Sequence, residues 1–204
     1  MDFIKDNVSK GLNVGMLRID VQKALGVSTM KPYVKKLKRL IDPELFCSYL
    51  SGRFQPVTLN VVQSVPLKIM CGLPQCSLFC PLLYLIYIND MEIMVKHKLL
   101  LGADESIILV CHKNPQVISQ YLSGELDSVN DWLIDNKLSY HVGKTECILF
   151  GSKLKFNRFK DLKVYYKDHV IKGSKYVKYL GAILDQDHFG NSIEISLTRA
   201  PMVP

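Results

Sequence analysis

The chain contains a single tryptophan and only five histidines in 204 residues, and it has no apolar run of membrane length. The longest such run, "CSLFCPLLYLIYI" from Cys76 to Ile88, falls short of the ~20 residues a spanning helix needs. It is also interrupted by Pro81 and runs into Asn89 and Asp90, so a buried helix is expected and a membrane partner is not. The opening "MDFIKDNVSK" has no apolar core of a secretory signal, which points to a cytoplasmic or nuclear location. No internal repeat or low-complexity tract is present. His97, His112, His141, His169 and His188 show no metal-ligand spacing and receive no role.

The six cysteines, at 47, 71, 76, 80, 111 and 147, would suggest disulfides only in a secreted chain, so reduced thiols are expected. Cys71, Cys76 and Cys80 are close together without zinc-knuckle spacing, which makes buried small thiols the simpler reading and zinc the rarer one. With 48% hydrophobic residues the chain can bury a real core. A net charge of +7 and a pI near 9.0 favour an anionic partner, nucleic acid ahead of an anionic membrane surface.

"NVGMLRIDV" (13–21) alternates β-tolerant residues and then offers an acid, which suits a short strand delivering Asp20 to an edge. "YVKKLKRLI" (33–41) has helical spacing behind Pro32, and its Lys35, Lys36, Lys38 and Arg39 read as a solvated face, or as phosphate contacts beside a template. Pro43 to Leu50 suggests another short helix. "FQPVTLN" and "SVPLKIMC" read as two strands, each with an edge-favouring proline. A helix capped by Ser77 follows and runs towards Ile93, with Asn89 and Asp90 read as capping its end. After a hairpin, residues 115–138 form the clearest helix, with Val117, Leu122, Leu126, Val129, Trp132 and Leu133 facing a core. "TECILFG", "LKVYYKDHVIKG" and "VKYLGAILD" are three β-like pieces, the middle one a hairpin turning at Lys167 to His169. This order predicts an α+β domain with helices packed on one face of a mainly antiparallel sheet.

The hairpin is "LLLGADESIILV" (99–110), in which Asp104 and Glu105 sit between two apolar runs. Such acids are ordinary in a solvated turn. Were the strands carrying Asp20 and this turn neighbours, however, three carboxylates would converge and repel. Hard divalent cations relieve that repulsion, and oxygen ligands select Mg²⁺ or Mn²⁺, which suits phosphate chemistry.

At these residues the sequence resembles the reverse transcriptase domains of non-LTR (LINE-type, jockey-like) retrotransposons. "RIDVQKAL" resembles the first catalytic block, "CGLPQCSLFCPLLYLIYIND" the block "GxPQGSxLGPLLFLIYIND", and "GADES" the "ADD" turn. "DWLIDNKLSYHVGKTECILFG" and "VKYLGAILD" resemble the two blocks that follow. The resemblance implies a polymerase palm over 1–185 lacking most of the fingers, with 186–204 as a poorly ordered tail. It implies an RNA-directed DNA polymerase that extends a primer 3′-end, using an RNA template, a DNA primer, deoxynucleoside triphosphates and Mg²⁺ or Mn²⁺. Asp20, Asp104 and Glu105 would be the catalytic metal ligands, with Val21 adding a backbone carbonyl. Leu25, Pro74, Gln75, Ser77 and Lys144 would meet the nucleotide and template, and Tyr179, Leu180 and Gly181 the primer.

Several positions depart from the family pattern. Glu105 stands where a shorter acid is usual, Leu25 and Gly102 where aromatics are usual, and Cys76 and Cys80 where glycines are usual; Gly26 and Thr29 replace acids. Gly102 is expected to loosen its strand, and Cys76 and Cys80 to cost close fit to nucleic acid. Lys144 alone would read as a surface lysine. The resemblance therefore leaves two main outcomes, an active polymerase domain or a catalytically inactive nucleic-acid-binding remnant of one. A translated pseudogene that does not fold is the third.

Overall fold

The central strand owes its place to being apolar on both sides. In β1 (Asn13–Gln22), Leu17, Ile19 and Val21 point to one face and Val14 and Met16 to the other, and all five are buried. The computed structural model describes residues 2–22, 36, 48–49, 51–69, 79–102, 105–151, 162–180 and 182–186. Further elements are α1 (Asp2–Ser9), α2 (Phe79–Ile88), a 3-10 helix (Asn89–Met94), β6 (Lys98–Leu101), β7 (Glu105–His112) and α3 (Pro115–Asp135). Then come β8 (Ser139–Tyr140), a 3-10 turn (Val142–Lys144) and β9 (Glu146–Phe150), followed by the hairpins β10 (Lys163–Tyr166) with β11 (His169–Lys172) and β12 (Tyr176–Tyr179) with β13 (Ala182–Asp185).

The main sheet runs β6-β7-β1-β8, with β9 also paired to β1. Both β9 and β8 lie on the side of β1 away from β7: β9 pairs Val14 to Arg18, and β8 pairs Val21 and Gln22. Every paired strand here is antiparallel. One face carries α2 and α3 and the larger core, which includes Leu17, Ile19, Tyr84, Tyr87, Leu122, Leu126 and Trp132. The opposite face carries a second apolar cluster, in which Ile4 of α1 and Val177 and Leu184 of the last hairpin cover Val14, Met16, Ile107, Ile148 and Phe150. The architecture is thus the α+β, antiparallel arrangement expected, with the short α1 added on the far face.

Helix α3 starts where its sequence directs. Asn114 accepts a hydrogen bond from the Gln116 amide at 2.9 Å, and Pro115 occupies the first turn, where its missing N–H costs nothing. Its buried positions 118, 122, 126, 129 and 133 recur at helical spacing. Ile118 takes the core place expected of Val117, which is half-buried. Hairpin β10–β11 docks on this helix. Tyr166 donates its hydroxyl to Asn130 Oδ1 at 2.7 Å, so the buried amide is satisfied, and the Tyr165 amide donates to Ser123 Oγ at 2.9 Å.

Other expectations need correction. Helix α2 gives way at Asn89 to the 3-10 helix, and the Asp90 carboxylate accepts from Lys36 Nζ at 2.7 Å. Lys36 is accordingly not on a solvated face. Its ammonium also donates to the Tyr87 carbonyl at 2.7 Å and lies over the Tyr87 and Trp132 rings, 4.4 and 4.7 Å from their centroids. The rest of 33–41 and most of 43–50 lie outside the described residues. "FQPVTLN" and "SVPLKIMC" pair only through β2 (Phe54–Gln55) and β5 (Leu67–Lys68), while β3 (Thr58–Leu59) of the first piece pairs with β4 (Val62–Gln63), which lies between the two. Pro56 and Pro66, lacking an N–H, stand between the ladders. "VKYLGAILD" is a hairpin and not one strand, because Leu180 takes a φ of +47° between β12 and β13. Cys111 and Cys147 are free thiols, Cys80 and Cys147 are buried, and among the described residues no helix is long and apolar enough to cross a membrane.

Gly15 marks the closest approach of β1 to α3. A Cβ there would lie 2.2 Å from Ile118 Cγ2 and 3.0 Å from Leu122 Cδ1. Ile118 is fully buried and β-branched, so it has little freedom to move. Gly15→Ala is expected to destabilise the fold by about 1–3 kcal/mol in urea melts, and the same change should cost less in an Ile118→Ala background, where Cγ2 is gone.

Candidate active site at the acidic end of the sheet

Beyond the second apolar cluster, the same face of the sheet turns charged. Asp20 lies directly opposite Glu105 across the β1–β7 ladder, and Arg18, two residues back on the same face, lies opposite Glu146 of β9. Opposed carboxylates repel. The Glu105 carboxylate instead reaches diagonally to Arg18, with Nη1 to Oε1 at 2.8 Å, while Arg18 Nη2 meets Glu146 Oε2 at 2.9 Å. Arg18 Nη2 also donates to the Lys144 carbonyl at 3.2 Å. Arg18 and Glu105 side chains are 13% and 21% exposed, so water screens this pair far less than an ordinary surface bridge. Within the network, Arg18 Nε and Glu105 Oε2 are buried without a hydrogen-bond partner.

Asp20 is held differently. Its carbonyl accepts from the His141 amide at 2.9 Å, which ties the end of β1 to the 3-10 turn that carries Lys144. Among the described residues the carboxylate meets only the outlying ammonium of Lys144, 3.9 Å from Oδ2, and that lysine is 61% exposed. A contact of this kind holds little energy. Val21 pairs with Tyr140 and buries its side chain in the larger core. Tyr179 packs at the edge of the second cluster, and burial together with the nearby Glu105 charge raises its phenol above the ordinary range. Leu180 is exposed at the tip of the β12–β13 turn.

The structure therefore gathers Asp20, Glu105, Lys144 and Tyr179 at one end of one face. Asp104, Leu25, Pro74, Gln75, Ser77 and Gly181 lie outside the described residues. A Cβ on Gly102 would sit 2.5 Å from the Glu105 carbonyl oxygen, so the bare backbone is what allows this close approach. Cys80 lies in the larger core, directed away from any surface. Sequence reasoning missed Arg18 and Glu146. The available signal was an arginine inside an otherwise apolar central strand, a position that demands counter-charges on its neighbours.

Among the described residues no three His, Cys, Asp or Glu side chains are grouped to hold a metal ion. Asp20 fits a hard cation, having an oxygen-only carboxylate that is not committed to a close partner. Glu105 fits less well, because Arg18 neutralises its carboxylate and takes Oε1, leaving only the buried Oε2.

Over 198 residues, 91% of this chain, the sequence is 26% identical to the RNA-directed DNA polymerase from mobile element jockey of Drosophila funebris. The chain is a distant homologue of that polymerase. It spans about a fifth of the length of that relative (21%). Among solved structures, the fold matches an apo telomerase from Candida tropicalis, truncated from its C-terminal domain, with a TM-score of 0.60 at 12% identity, covering 91% of this chain and 36% of that one. No protein-family model matches the sequence. The acidic end of β1 and β7 holds Asp20 and Glu105, two of the three acids to which the sequence resemblance gives a catalytic role.

Proposed function

We propose that residues 1–185 are a palm-like domain of an RNA-directed DNA polymerase, and that its chemistry is nucleotidyl transfer to a primer 3′-end at the acidic end of the sheet. The observation that carries this reading is the register in which Asp20 faces Glu105, the residue after Asp104, with Lys144 on the adjoining turn. Asp20 and Asp104 are the ligands for a divalent cation, Mg²⁺ or Mn²⁺, which when bound would stabilise the charge on the attacking 3′-oxygen and the leaving pyrophosphate. Lys144 sits on an exposed stem beside Asp20, able to swing onto a triphosphate as a point charge. Tyr179 and Leu180, at the end of the β12–β13 hairpin, offer a partly apolar ledge for the primer backbone, with Gly181 between them and β13. Leu25, Pro74, Gln75 and Ser77 are assigned to the nucleotide and template by resemblance. The RNA template, DNA primer and deoxynucleoside triphosphates are all polyanions, in keeping with the net charge of +7.

A second reading, a nucleic-acid-binding remnant without turnover, is favoured by one observation, the hold of Arg18 on Glu105. Primer extension on poly(rA)/oligo(dT) with Mn²⁺ separates the two. Extension that disappears in Asp104→Asn and in Asp20→Asn is the expected result. Retained, salt-dependent binding of the primer–template with no extension, even after Glu105→Asp, would sink the catalytic reading and leave the remnant.

A further inference from the structure

Arg18 is the hub of the acidic end. It touches β7 through Glu105, β9 through Glu146 and the 3-10 turn through the Lys144 carbonyl, while one nitrogen of its own and one oxygen of Glu105 stay buried without partners. Two carboxylates from different strands need a cation between them, and here the guanidinium is that cation. Glutamate has the reach for the diagonal to Arg18; an aspartate at 105 is one bond shorter. We infer that Arg18 is a positioning residue that serves as a built-in counter-ion for Glu105, holding that carboxylate off a divalent cation at Asp20 and so setting the metal affinity of the site. The inference rests on the proposed metal site at Asp20 and deepens it: Glu105 belongs to the frame, and the metal, when bound, is held without it.

Two cations then compete for one carboxylate. A guanidinium 2.8 Å from Oε1 makes a charge-assisted bond that neutralises the carboxylate, so the remaining Oε2 draws a divalent ion weakly while that bond holds. Losing Arg18 frees Glu105 and at the same time leaves Glu105 and Glu146 without their shared counter-charge. The arginine-free chain should therefore be less stable in chelator and should recover stability with metal, because a ligand that binds only the folded state raises its stability.

The test is Mn²⁺ binding by the full chain, read by the electron paramagnetic resonance signal of free Mn²⁺ and by thermal melts in Mn²⁺ and in EDTA. Arg18→Met is expected to bind Mn²⁺ about tenfold or more tighter than the parent, and to show the larger rise in melting temperature when Mn²⁺ is added. Arg18→Met/Glu105→Gln should lose that gain, which separates release of Glu105 from the mere removal of a positive charge. Because Arg18→Met could fail to fold, Glu105→Gln is also made with Arg18 in place, and there Mn²⁺ affinity should fall by less than about tenfold, the effect of one lost neighbouring charge and not of a lost ligand. A fall of about tenfold or more in Glu105→Gln, equal binding in parent and Arg18→Met, or a gain that survives the double change each overturn the inference. Failure of the underlying site reads out separately, as Asp20→Asn binding Mn²⁺ no less tightly than the parent.

Discussion

Trp132→Ala is expected to cost about 3–5 kcal/mol of folding stability, the range for removing a large buried aromatic that the surroundings cannot refill. Trp132 is 4% exposed on α3, and its ring meets Tyr87 of α2 edge-on, with centroids 6.4 Å apart. Tyr87 is locked in turn, since its hydroxyl donates to the Asn136 carbonyl at 2.6 Å. The two rings also seat the Lys36 ammonium, so truncation removes one wall of a cation site as well as apolar area. Burial lowers the Lys36 pKa and Asp90 opposes that shift, so the charge persists only while its surroundings compensate it. Urea melts followed by far-ultraviolet circular dichroism would measure the loss, and Trp132→Phe should recover part of it. A cost under about 1 kcal/mol would show that the Tyr87–Lys36–Asp90 arrangement stands without the indole.

That arrangement shows where the sequence could be read and where it could not. Periodicity identified α3 and the burial of Trp132, because a helix 21 residues long repeats its pattern often enough to be unambiguous. The β6–β7 hairpin and β1 were legible for a similar reason, since runs of β-branched and aliphatic residues ended in turns or acids. The pairing of Lys36 with Asp90 was not legible. Both residues are polar at positions that solvate easily, and only the tertiary fold brings residues 54 apart in the chain to 2.7 Å. The short pieces β8 and the 3-10 turn that carries Lys144 were missed because two or three residues have no period to detect.

The acidic end divides in the same way. Alternation along β1 placed Asp20 at the end of the strand, and the apolar flanks of Asp104 and Glu105 required a tight turn. What the residues could not reveal was which counter-charge each acid would take. Arg18 and Asp20 share a face by the period of two, yet the choice of Glu105 between its direct neighbour and the diagonal depends on register, which only the paired strands define.

Register also buries Cys147. Between Leu17 of β1 on one side and the parallel bridge to Gly173 on the other, the thiol lies fully buried and its Sγ donates to the Ile171 carbonyl at 3.6 Å. Burial pushes its pKa from 9.0 up to about 12, against a smaller lowering from the Val164 backbone. In the unfolded chain the thiol ionises near pH 9, while in the folded chain it keeps its proton to about pH 12. The folded state therefore binds more protons across that window, and stability falls as pH rises through it, by roughly 4 kcal/mol in full and about 2 kcal/mol between about pH 8 and 10.5. Tyr140, whose pKa burial also raises, acts in the same direction, while Lys36, with its lowered pKa, gains stability as the pH approaches 10.5. Subtraction isolates the thiol: Cys147→Ala should be less stable than the parent at neutral pH, yet its urea midpoint should fall less steeply above pH 9. Parallel pH profiles for the two chains would mean that the thiolate finds solvent without unfolding, and that β9 opens from the sheet before the core does.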